Sequence, residues 1–261
     1  MSINRSELKA QAKQAIHEAR PSPIWITLVY LLVLFVLGSL GSSVSGELSA
    51  AREMLEQALA GNYTEIMPET STFGSILSLL LQVMSAVLCV GFSILCLHVS
   101  RREAVAFANL LDGFGMLLRV ISLSIFKYFV LLGWSLAYAL PAAFLSAAIG
   151  PWGLVITLPL LYLPLEALYA YRLSVFLLID YPGLPAFQCL RLSRRIMKGY
   201  KWKLFQIDLS FLGWLILSLV PFVGLWVLPY RETVNAGFYD RVMELSGWRA
   251  RFAPPVPPDA V

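Results

Sequence analysis

Residues 24–43 contain no charged side chain, and similarly long apolar runs follow at 73–99, 120–149 and 154–179. A helix rises about 1.5 Å per residue, so about 20 apolar residues cross a hydrocarbon core roughly 30 Å thick. Each run reaches that length. No ordinary soluble interior could hide them: 58% of the 261 residues are apolar, 14% are charged, and the mean hydropathy is +0.72. The expected fold class is all-α, a polytopic transmembrane helical bundle.

The formal net charge of +4 and the pI near 9.0 come from Lys and Arg confined to the segments between apolar runs. Basic loops stay on the cytoplasmic side of a membrane, so orientation accounts for the sign better than nucleic acid does. By this rule the connector from Arg101-Arg102 to Arg119 faces the cytoplasm, as does the stretch holding Arg191, Arg194, Arg195, Lys198, Lys201 and Lys203. Residues 46–72 carry Glu47, Glu53, Glu56, Glu65 and Glu69 against a single Arg52, and are expected outside, with a helix over 47–60 stopped by Gly61-Asn62. Gly150-Pro151-Trp152-Gly153 reads as a tight outer turn.

Residues 204–230 are apolar but interrupted by Pro221-Phe-Val-Gly224, which allows one kinked helix or the two arms of a hairpin, hence five spans or six. Six is adopted, because it returns Arg231, Arg241, Arg249 and Arg251 to the side of the other basic segments. The chain then divides into an N-terminal amphipathic cytoplasmic helix (1–23), a transmembrane domain (24–240) and a cytoplasmic Pro-rich tail (241–261). In the first part Asn4 is a cap with Glu7 three positions on, and Leu8, Ala12, Ala15 and Ile16 share one face. A charged start before an apolar run also has the outline of a signal peptide, but the long charged region and near-spanning run favour an uncleaved first helix.

Charges within apolar runs are expensive and mark candidate sites. Glu166, Arg172 and Asp208 are the intramembrane polar candidates, with Lys127 beside them. Glu166 and Arg172 point about 120° apart on a helix, so each needs a partner on another helix. A polar pocket near Glu166 would gain Tyr162, Tyr169 and the irregularity introduced by Pro159 and Pro164. The bland alternative is ion pairs that set helix register, and an intramembrane enzyme built on Glu166 or Asp208 is a third reading. The basic loop, with Arg191, Arg194, Arg195, Lys198 and Lys201, is the candidate contact for anionic lipid or a partner protein.

Small residues at four-residue spacing, Ser39 and Ser43, then Ala139, Ala143 and Ala147, read as helix-packing surfaces. His17 and His98 lack a carboxylate or cysteine at ligand spacing, and Cys89, Cys96 and Cys189 form no disulfide framework, so neither metal nor cofactor is expected. Asn62-Tyr-Thr64 matches a glycosylation acceptor, a triplet common by chance. Nucleotide-binding glycine loops, zinc-helix motifs and nucleophile elbows do not occur.

The order Tyr171-Arg172, Asp180-Tyr-Pro182, Ser193, Met197-Lys-Gly199, Lys201, Phe205, Leu209-Ser-Phe211, Gly213-Trp214, Gly224-Leu-Trp226, Pro229-Tyr230, Thr233, Ala236 and Phe238-Tyr239 resembles the bacterial integral membrane family catalogued as domain of unknown function 975. Arg5, Leu8-Lys9 and Ala12-Lys13 are similar to that family's opening. The resemblance implies a multi-pass protein of the bacterial plasma membrane with a cytoplasmic N-terminus, and no activity. It draws attention to the cytoplasmic face, where Ser193, Lys198, Gly199 and Lys201 would sit at headgroup level, braced by Asp208, Trp214, Pro229 and Tyr230. The expected function is a non-enzymatic protein that binds membrane lipids, or another membrane protein, there. The alternative is a small transporter or exporter component working through Glu166.

Overall fold

The computed structural model describes residues 4–59, 72–217 and 223–249, and among them every regular element is a helix. The expected stop at Gly61-Asn62, the Asn62 triplet, Pro221 and Phe222 of the Pro221-Phe-Val-Gly224 interruption, and residues 250–261 of the proline-rich tail lie outside the described residues. Among the described residues four stretches are long and apolar enough to cross a membrane: Pro23–Val44, Thr72–Arg101, Phe107–Ile149 and Pro151–Asp180.

The chain opens with α1 (Arg5–Glu18), where the Asn4 side chain accepts from the Ser6 N–H and Leu8, Ala12 and Ala15 are buried. Next come α2 (Pro23–Val44), α3 (Glu47–Leu59) and α4 (Thr72–Arg101). α4 is central, packing against α1, α2, α5 (Leu117–Ile149), α8 (Ser174–Asp180) and α11 (Gly224–Leu245). Tyr30 of α2 stacks on Phe92 of α4 at 4.4 Å. Gly150, at φ +67°, turns α5 back into α6 (Pro151–Thr157), as expected of a glycine followed by proline.

The run expected as one helix over 154–179 is instead broken into α6, a 3-10 turn Leu158–Leu161, α7 (Tyr162–Ala170) and α8 (Ser174–Asp180). Pro159 has no N–H to give to the preceding turn, while Pro164 falls in the first turn of α7 where none is needed. The second break, at Tyr171–Leu173, has no proline; there Ser174 Oγ donates to the Tyr171 carbonyl at 2.7 Å. α9 (Ala186–Ile196), α10 (Lys201–Leu217) and α11 (Gly224–Leu245) complete the fold. The contacts Asp208 to Arg231 and Phe211 to Tyr230 make α10 and α11 an antiparallel pair. α11 continues to Leu245 with Val242 and Met243 buried, so a domain boundary at 240 falls inside a helix.

Burial is uneven along the molecule. On α4 the buried side chains concentrate in 87–99, next to buried residues of α8, α9 and α11. The other halves of the long helices expose Phe35, Leu40, Phe73, Leu79, Phe144 and Trp152. One end is packed like a soluble core, and the other presents apolar surface that only lipid or another apolar partner satisfies. Ala139, Ala143 and Ala147 lie on that exposed surface, as do Ser39 and Ser43, so neither stripe is packed away among the described residues. The close approach between α5 and α6 is made by Gly153 against the Leu145 backbone.

Candidate functional site

α9 lies across the packed end on α5, α7 and α8. Its buried residues Ala186, Cys189, Leu190, Ser193 and Ile196 recur at helical spacing, which leaves Arg191, Arg194 and Arg195 together on the exposed face. Ser193 is fully buried, and its hydroxyl donates to the Ala170 carbonyl at 2.8 Å, one of the unpaired carbonyls where α7 ends. Burial pushes the Cys189 thiol up against the opposing pull of Arg119, and it serves as a packing residue.

The three guanidinium groups rest near aromatic rings: Arg191 over Phe187 at 4.7 Å, Arg194 over Trp134 at 5.9 Å and Arg195 over Trp248 at 5.9 Å. Such contacts hold long cationic side chains in place without neutralising them. No carboxylate among the described residues lies within ion-pair distance of these arginines. Arg191 and Arg195, with Gln188 and Trp248, border a hollow of about 300 Å³ floored by Leu184 and Leu192. Lys198 is exposed in the following turn, which Gly199 completes at φ +91°, a conformation that side chains disfavour. The loop before α9 is clamped by Arg119, which donates to the carbonyls of Tyr181 at 3.0 Å and Leu184 at 3.2 Å.

Lys201 stands apart from the other predicted contacts, because its ammonium pairs with Glu166. Asp208 pairs with Arg231 at 3.1 Å and Arg172 with Glu232 at 3.9 Å. Glu166, Arg172 and Asp208 thus each meet an opposite charge on a different element, and none meets another of the three. These pairs tie α7 to α10, α10 to α11, and the break after α7 to α11. His98, expected to lack a carboxylate neighbour, has Nε2 3.6 Å from Glu103, which the chain reversal after α4 brings back. Among the described residues no group of three or more His, Cys, Asp or Glu is placed to hold a metal.

A further charge cluster joins the ends of three elements. Arg101 of α4 makes two hydrogen bonds to Asp180, at 2.9 and 2.6 Å, and two to Asp240, at 3.2 and 2.8 Å. Tyr239 donates to Asp180 at 2.9 Å, and Arg249 to Asp240 at 2.5 Å. In sequence Arg101 reads as an orientation signal, and neither Asp180, at the end of an apolar run, nor Asp240, inside a helix, marks itself as its partner.

The family model described as protein of unknown function (DUF975) matches residues 1–246. No curated protein and no solved structure matches the chain.

Proposed function

Since the chain belongs to the DUF975 family, whose description assigns no activity, we propose a function from its residues: a non-enzymatic, multi-pass protein of the bacterial cell membrane that holds anionic phospholipid headgroups against α9. The observation that carries this reading is the row Arg191, Arg194 and Arg195, backed by rings and unmatched by any carboxylate among the described residues. Each cation near an anionic leaflet contributes about 1 kcal/mol. A planar guanidinium also suits two phosphate oxygens at once.

The level of α9 supports the same reading. α5 has 33 residues, about 50 Å of helix, against a core of roughly 30 Å. α9 runs beside its first half, from Phe126 near Phe187 to Trp134 near Arg194. The excess of roughly 20 Å supports a headgroup-level position, on the cytoplasmic side, for the start of α5 and for α9 beside it. α1 joins this side, since Leu8 lies beside Gly237 of the helix that carries Asp240. In the six-span reading α10 and α11 are the last two crossings, entering with Asp208 and Arg231 as a pair.

The transport reading required a Glu166 free to meet a substrate, and its pairing with Lys201 favours a register role instead. The lipid reading is tested by native mass spectrometry of the full chain with dioleoylphosphatidylglycerol against dioleoylphosphatidylcholine. Arg191→Gln/Arg194→Gln/Arg195→Gln should weaken phosphatidylglycerol retention by about 10- to 100-fold and leave phosphatidylcholine unaffected. Equal phosphatidylglycerol retention by the variant and the wild type would overturn the proposal.

A further inference from the structure

A larger cavity, about 650 Å³, opens between α1, the start of α2 and the α10–α11 pair. It shares no residue with the α9 hollow. Lys9, Lys13 and Arg20 supply cations to its wall, and Ile24, Trp214 and Trp226 supply apolar surface. No Asp or Glu contributes to the lining, and among the described residues no carboxylate lies within ion-pair distance of the three cations.

The placement follows from how α1 is held. Leu8, Ala12 and Ala15 bury themselves against α4 and α11, which turns the cationic side of α1 toward α10. Lys9 Nζ then lies 4.5 Å from the Phe211 ring centre, and Tyr230 donates to the Lys9 carbonyl at 3.4 Å. Burial, and then the neighbouring Arg5, push the Lys9 ammonium below its usual range, as expected of a cation without a counter-anion. Trp214 and Trp226 remain 51% and 61% exposed among the described residues.

We propose that this groove seats one anionic glycerophospholipid, its phosphate against Lys13 and Arg20 with Lys9 behind, and an acyl chain along Ile24, Trp214 and Trp226. Three cations without an acid, in one groove with exposed apolar surface, match the phosphate and acyl chain of a single lipid molecule. A folded protein segment or a second copy of the chain would have to bring both acids and apolar side chains into the same groove. The volume falls within the range of pockets that enclose a small ligand. The site does not depend on the α9 reading, and either can fail alone.

The test counts dioleoylphosphatidylglycerol and dioleoylphosphatidylcholine adducts on the full chain by native mass spectrometry, for the wild type, K13Q/R20Q, K13R/R20K and R191Q/R194Q/R195Q. Losing two cations should weaken one phosphatidylglycerol site roughly thirtyfold. K13R/R20K should keep that site, which separates charge from folding, and the α9 variant should keep it too. Undiminished phosphatidylglycerol binding by K13Q/R20Q overturns the proposal. So does a dimer that K13Q/R20Q abolishes while lipid binding stays unchanged, since the occupant is then a second copy. Tighter phosphatidylglycerol binding after deletion of residues 250–261 overturns it as well, in favour of the chain's own tail.

Discussion

Arg101 ends an apolar run, where an arginine serves most simply to orient the chain, yet its guanidinium is fully engaged by Asp180 and Asp240. The two acids lie 79 and 139 positions away, so no local pattern reveals the cluster. Residues with local partners were easier to read: Asn4 as a helix cap and Gly150 as a turn need only their neighbours. Removing a partner from a part-buried ion pair strands the other charge. Arg101→Ala should therefore destabilise the detergent-solubilised protein by about 2–3 kcal/mol, seen as a fall of several degrees in Tm. Arg101→Lys should recover only part of the loss, because one ammonium cannot make paired bonds to two carboxylates. A lysine variant as stable as the wild type would contradict this role.

Among the elements, the long apolar helices α2, α4 and α5 were legible because each repeats one pattern over many residues, whereas α9 lies in a stretch that reads as a basic loop, its arginines outweighing the short apolar face of an 11-residue helix. The break at Tyr171–Leu173 was not, since it depends on Ser174 and on the carbonyls that Ser193 and α9 satisfy. Sequence spacing said that Glu166 and Arg172 need partners elsewhere, but the partners came from the basic loop and α11. If Glu166 and Lys201 join α7 to α10, then Glu166→Lys and Lys201→Glu should each lower Tm, and the double swap should restore most of the loss. A double-mutant cycle would read a coupling of about 1 kcal/mol or more. Close approach gives a second check on α4. A side chain at Gly91 would fall on the Leu110 carbonyl, whereas Gly115 has open space around it. Gly91→Ala should cost about 1–3 kcal/mol in thermal denaturation and Gly115→Ala under 1 kcal/mol.

Across the whole molecule, composition foretold apolar helices but not that the packed core would gather at one end. That end carries the Arg101 cluster, the paired charges and the free arginine row, while the exposed apolar halves of the helices face the opposite way. We propose that this arrangement anchors a cationic surface, with α9 at the level of lipid phosphates. The direct measurement is the depth of a nitroxide at Gln188→Cys, in a background with Cys89, Cys96 and Cys189 replaced by alanine. Oxygen and nickel-chelate collision rates would be compared in bilayers with and without phosphatidylglycerol. The account predicts a headgroup-level depth that deepens with phosphatidylglycerol and loses that response in R191Q/R194Q/R195Q. A label as accessible to the nickel chelate as one in bulk water, whatever the lipid, would contradict it.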